Sequence, residues 1–149
     1  MAWALCVAWA ASAALLTSPV SPDPDAGEAL WPAGTLTLAW QHTIERVRWE
    51  EDYALPRASD EPPLLLATAA RVRGSGAGME PAPDARWQGG WYVWSPQRRL
   101  PALHLAHSAY ATDHTLCLDG RCAPLTRWLP SAAPPTSGVV RLRACRAPD

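Results

Sequence analysis

The sequence predicts a mainly β protein, an antiparallel β-sandwich or small barrel of about seven to nine short strands. Three observations predict it. Apolar and polar residues alternate with period two in several short runs. Glycine-bearing pairs at hairpin spacing punctuate those runs. The 16 prolines among 149 residues would interrupt any long helix. Nine tryptophans must also be buried or presented to a ligand or partner. A chain of this length closes one hydrophobic core and has no room for two domains.

The opening stretch MAWALCVAWAASAALL carries no charged side chain and is followed by TSPVSPDPDAGEA, rich in Pro and Asp. An apolar run of about fifteen residues fits the apolar centre of a secretory signal and falls short of the ~20 that span a bilayer. The Lys or Arg that normally opens such a signal is absent. The expectation is a signal peptide over 1–22, with a membrane anchor over 2–16 as the alternative, then a flexible lead-in over 23–33. A periplasmic or secreted location follows. In the anchor alternative, that segment is the chain's only membrane contact.

The β domain is expected over 34–129. In GTLTLAWQHT, Leu36, Leu38, Trp40 and His42 share one face, and Thr35, Thr37, Ala39 and Gln41 the other. VRWEEDYAL repeats the pattern, with Val47, Trp49, Glu51, Tyr53 and Leu55 opposite Arg48, Glu50 and Asp52, so the two pair as a hairpin. LLLATAARVR reads as a third strand ending at the loop Gly74-Ser75-Gly76-Ala77-Gly78. Gly89-Gly90 then marks a hairpin between tryptophan-bearing arms, and LPALHLAHS is a further alternating run. Over 130–149, a Pro-rich link leads to VVRLRAC, a last strand or a frayed tail.

Asp119-Gly120 is a strong two-residue turn, and it sets Cys117 opposite Cys122 at a non-hydrogen-bonded pair. Cα atoms there approach to about 4.5 Å, which suits a disulfide. Its role is to fix the register of the hairpin. On this reading Cys6 leaves with the signal and Cys145 stays unpaired.

Chemistry is sparsely signalled. The formal charge is −1, with thirteen cationic residues, all Arg, against fourteen acids, so no basic stripe seeks nucleic acid. Ser75 lacks the Gly two residues before it that a nucleophile elbow needs, and no Gly-Lys-Ser/Thr closes the loop around a phosphate. Positive φ and close backbone approach explain the glycines Gly74, Gly76 and Gly78. His104 and His107 fall on opposite faces of a strand and do not converge on a metal. Glu51 shares the Trp49/Tyr53 face, so it needs an Arg or N–H partner if that face is core. The residues that form a candidate ligand-binding or structural polar cluster are His42, Glu45, Glu50, Glu51, Glu80 and His114. No catalytic residue, metal or cofactor is assigned.

Taken in order, His42-Thr43-Ile44-Glu45, Glu50-Glu51, Gly76-Ala77-Gly78 with Glu80-Pro81, Trp91, and the run from His114 to Leu118 resemble a bacterial family catalogued as domain of unknown function 1850. The resemblance covers residues 34–129, in the ordering of the motifs more than in any one of them. It implies a small exported protein, often encoded beside TAXI-type TRAP transporters. A membrane transporter or its solute-binding subunit is then the implied partner, and no reaction is named.

The expected function is that of an exported, non-enzymatic binding or accessory protein assisting periplasmic solute uptake. Two alternatives stand beside it. One is a hydrolase or metal-dependent enzyme using the His/Glu cluster. The other is a structural module that docks through the Trp87/Trp91/Trp94 hairpin.

Overall fold

The period-two runs fold as antiparallel strands in a computed structural model, which describes residues 2–10, 27–41, 46–74, 83–108, 110–130 and 137–148. In chain order the strands are β1 (Trp3–Trp9), β2 (Glu28–Pro32), β3 (Thr35–Gln41), β4 (Arg48–Ala54), β5 (Leu65–Arg73) and β6 (Arg86–Gln88). They continue with β7 (Trp91–Trp94), β8 (Arg98–Leu100), β9 (Leu103–Ser108), β10 (Thr115–Leu118), β11 (Arg121–Pro124) and β12 (Ser137–Arg146). A 3-10 turn, Leu125–Trp128, follows β11.

Two sheets form. The smaller has the order β2-β1-β12-β9, and the larger β11-β10-β3-β4-β5-β7-β6 with β8 beside β5. Leu36, Leu38, Tyr53, Leu65 and Leu116 of the larger sheet meet Leu5, Val7, Val140 and Leu142 of the smaller in one buried cluster. The fold is therefore a sandwich of two open sheets. Among the described residues no helix is long and apolar enough to cross a membrane.

The smaller sheet differs from expectation. Trp3–Trp9, read as part of a removable signal, is a central strand paired on both sides, with β2 and with β12. Glu28–Pro32, expected as flexible lead-in, is its edge strand. The physical reason lies in WALCVAW itself. Trp3, Leu5 and Val7 face the core, while Ala4, Cys6 and Ala8 on the other face are covered as well. A strand buried on both faces loses its alternation and reads as an unbroken apolar run.

That outer cover is ionic. Glu28 lies opposite Ala8, and Arg143 opposite Cys6. The Arg143 guanidinium reaches across β1 to donate two hydrogen bonds to the Glu28 carboxylate, at 3.0 and 2.8 Å. Cys6 is disulfide-bonded to Cys145, with Cα atoms 6.0 Å apart. The expectation of an unpaired Cys145 is thereby corrected: it rested on the loss of Cys6.

In the larger sheet, β4 and β5 shift register where Asp52 opposes Ala69 and Tyr53 opposes Ala67. Thr68 is the extra residue of this bulge. Its hydroxyl donates to the Asp52 carbonyl at 3.2 Å, and its own carbonyl accepts from the Ser95 hydroxyl at 2.7 Å. The bulge divides β5 into a half that pairs with β8 and a half that pairs with β7.

Both glycine hairpins form. Gly89 and Gly90 have φ of 56° and 91°, and Asp119 and Gly120 have 47° and 84°. Two successive positive values are the mark of a type I′ turn. Cys117 and Cys122 face each other and are disulfide-bonded, with Cα atoms 4.0 Å apart.

The Asp119 carboxylate also accepts from the backbone N–H of Thr35 at 3.0 Å and of Gly34 at 3.1 Å. These bonds, Thr35 first, hold its pKa below the ordinary aspartate value. A depressed carboxylate contributes stability above its unfolded pKa and loses it as pH falls through the folded one. Asp119→Asn keeps the side chain's tolerance of positive φ and removes the charge. It is expected to lower stability at pH 7 by about 1 kcal/mol once solvent screening at this exposed turn is allowed for. Urea melts should show the gap to wild type narrowing below about pH 4.

Candidate functional site

Antiparallel pairing brings the end of β3 at Gln41, the start of β4 at Arg48, the end of β5 at Arg73 and the start of β10 at Thr115 to one end of the larger sheet. The smaller sheet meets this end through His107, the penultimate residue of β9, whose Nδ1 lies 3.5 Å from Asp113 Oδ1. Two surfaces diverge from here, one on each face of the larger sheet.

The inner face carries an aromatic row. Trp40 and Trp49 are register partners whose rings stack with centroids 6.1 Å apart. Trp94 meets Trp49 edge-on at 6.1 Å, and His114 tilts against Trp40 at 6.0 Å. Trp9, at the end of β1, meets His107 edge-on at 5.4 Å. Burial lowers the pKa of His114, and the charge of neighbouring Asp113 only partly offsets it. The imidazole is therefore neutral at neutral pH. Folding then weakens as pH falls below about 6.5, where the unfolded chain takes up a proton that the folded chain resists.

Polar groups along this row are only partly matched. Asp113 Oδ2 accepts from the Thr126 N–H at 3.2 Å and from the Thr126 hydroxyl at 2.9 Å, which fixes the carboxylate beside His107. The buried indole N–H groups of Trp9 and Trp49, and Asp113 Oδ1, have no hydrogen-bond partner among the described residues. Deeper on the same face, the Tyr53 hydroxyl donates to Glu51. Burial first, and that carboxylate second, raise the Tyr53 pKa well above the ordinary phenol value. Glu51 thus takes its partner from a phenol, where an Arg or backbone N–H was expected.

The outer face carries an ion ladder. Arg71 Nε donates to Glu50 at 3.1 Å, and its Nη1 to Asp52 at 2.9 Å. The Thr37 hydroxyl also donates to Asp52, at 2.7 Å. Burial alone would raise the Asp52 pKa, but the bonds from Arg71 and Thr37 together hold it below the ordinary value. Arg48 Nε reaches Glu50 at 3.5 Å.

Of the expected cluster, His42, Glu45 and Glu80 lie outside the described residues, as do Gly76 and Gly78 of the glycine loop. Gly74, with φ of 88°, ends β5 and donates its N–H to Gly90 at 3.0 Å. Glu50 and Glu51 point to opposite faces and do not act on one ligand. His114 sits in the aromatic row. The tryptophans of the expected docking hairpin also divide: Trp94 joins the inner row, whereas Trp91 lies on the outer face beneath Arg73, 5.4 Å from its guanidinium. Trp87 is 56% exposed and packs on Tyr92.

Sequence alone does not single out His107 among the four histidines that Asp113 could orient, because their meeting depends on the contact between sheets. The Trp40/Trp49 pair was within reach of the sequence, since the hairpin predicted there sets both residues on one face. Among the described residues, no group of three His, Cys, Asp or Glu side chains is placed to hold a metal ion.

Comparison with known proteins matches a family model described as "Domain of unknown function (DUF1850)", over residues 36–125. No curated protein and no solved structure matches the chain. The matched span holds β3 from Leu36 onward through β11, and with them the hairpins, the ion ladder, Trp40, Trp49, Trp94, His107 and His114. It is more than half of the chain, and the protein belongs to the DUF1850 family.

Proposed function

We propose that this chain is an exported, non-enzymatic binding protein, an accessory to solute uptake by a membrane transporter, and that it holds its ligand against the row of Trp40, Trp49, Trp94 and His114. The observation that carries this reading is the buried indole N–H of Trp49, a donor without an acceptor among the described residues. A buried donor left unpaired costs about 1–3 kcal/mol, a cost that an acceptor on a bound solute would remove. Stacked indoles and a neutral imidazole suit a small, partly apolar solute. The two disulfides are consistent with an oxidising compartment.

Native mass spectrometry of the full chain purified from an exporting host tests the binding reading. Wild-type protein is expected to carry a small bound solute. Trp49→Phe keeps the ring, removes the N–H, and should lose the solute with its melting temperature held or raised. A wild-type protein free of solute would count against the reading. The accessory role makes a separate claim, and it fails if deleting the gene leaves uptake by the neighbouring transporter unchanged.

One observation favours a second reading, an enzyme. Thr126 orients Asp113 beside His107, an arrangement that can position an imidazole for proton transfer. Asp113→Asn and His107→Ala, assayed for hydrolysis and for melting temperature together, separate the two readings. Loss of stability without any measurable turnover in wild type would leave the pair a structural role.

A further inference from the structure

The outer face of the larger sheet is unevenly charged. Among the described residues its ladder contains the four cations Arg46, Arg48, Arg71 and Arg73 and the two carboxylates of Glu50 and Asp52. Arg71 occupies both carboxylates. Arg48 shares one of them at 3.5 Å and is half exposed. Arg46 and Arg73 have no carboxylate partner among the described residues, so the excess of positive charge gathers at the end of the sheet.

There the side chains of Gln41, Arg46, Val47, Arg48 and Arg73 line a cavity of about 330 Å³. That volume lies near the lower bound for small-molecule sites, about 300 Å³. Two of its cations are restrained by contacts with uncharged groups, one at its side chain and one at its backbone. Arg73 rests over the Trp91 ring at 5.4 Å, a cation–π contact that restrains the guanidinium and leaves its charge available. Arg46 has φ of 53°, a conformation that costs a non-glycine residue about 1–3 kcal/mol. The Gln41 side-chain amide donates to the Arg46 carbonyl at 2.8 Å and keeps it there. Guanidiniums restrained around a cavity reduce the ordering cost of binding an anion, which is what preorganisation supplies.

We propose that this cavity is an anion-binding site, in which Arg46, Arg48 and Arg73 take up the carboxylate or phosphate group of a small solute. Planar guanidiniums meet either group through paired N–H donors. The site lies on the opposite face from the tryptophan–histidine row, and it stands or falls without it.

Isothermal titration of the full chain with inorganic phosphate and, separately, with succinate at constant ionic strength tests the proposal. Binding of at least one is expected, and which one binds identifies the anion class. Arg73→Gln and Arg46→Gln should each weaken binding at least tenfold, while Arg121→Gln, on the remote β10–β11 hairpin, leaves it unchanged. The melting temperature without added anion is expected to hold or rise in Arg73→Gln, because like charges have been thinned. The proposal is overturned if neither anion binds wild type, if Arg121→Gln weakens binding as much, or if Arg73→Gln lowers the melting temperature and leaves binding intact.

Discussion

A chain lacking residues 2–10 is expected to show no cooperative unfolding transition. These residues contain β1, whose Trp3, Leu5 and Val7 are 6%, 0% and 0% exposed. Burial of such side chains contributes about 1.5–3 kcal/mol each. Their loss would add to the loss of ladders on both sides of the strand, and the sum reaches the about 5–15 kcal/mol that holds a whole domain folded. β2 would be left without a partner, and the β12 edge would open to other chains. Circular dichroism across a thermal ramp reads the result. A sharp melt at the wild-type temperature would remove β1 from the folding unit.

Leu5→Ala is the milder form of the same experiment, and it should cost about 3 kcal/mol in urea denaturation. The two readings of the N-terminus also part at the mature protein. A removed signal leaves no peptide containing Cys6, whereas the folded strand predicts a non-reduced digest in which residues 3–9 are linked to Cys145.

The two disulfides should differ widely in what their loss costs. Cys6–Cys145 closes a separation of 139 residues, and Cys117–Cys122 a separation of 5. On chain entropy alone the long bridge contributes about 5 kcal/mol and the short one about 2. Cys145→Ser with Cys6→Ser is therefore expected to destabilise by about 3 kcal/mol more than the paired serine variant at Cys117 and Cys122. Denaturant midpoints of the two double variants, with m-values compared to confirm one transition, give the difference. Equal losses would mean that the reduced chain keeps its ends together without the bond.

The strands of the larger sheet, the short β8 excepted, were legible because they have one wet face. Leu36, Leu38 and Trp40 alternate with Thr35, Thr37 and Ala39, and the structure pairs them with Tyr53, Glu51 and Trp49 in the register that alternation demands. Asp119-Gly120 and Gly89-Gly90 were legible because positive φ at two successive positions restricts the choice of residue. β12 was legible only as a last strand or a frayed tail, the strand reading resting on Arg141 and Arg143, which mark its outer side.

β1 was not, because Arg143 and Glu28 lie across its outer face and permit Ala4, Cys6 and Ala8 there. A charged cover supplied by other strands leaves no trace in the covered strand's own sequence. The site was harder still. His107 and Asp113 are close in sequence, but their contact is set by how the sheets dock. The cation excess around Arg46 and Arg73 emerges only after Arg71 has been seen to take both carboxylates.

The order β2-β1-β12-β9 has a consequence for synthesis. β1 is completed by β12, which lies far later in the chain, so the smaller sheet cannot close before Ser137–Arg146 has been made. Until Ser137–Arg146 is available, β1 has only β2 beside it, and its apolar inner face has no finished layer to cover. Contacts this distant in sequence make folding slow. Closure of the smaller sheet is thus obliged to wait for β12, whereas every strand of the larger sheet is already present by Pro124.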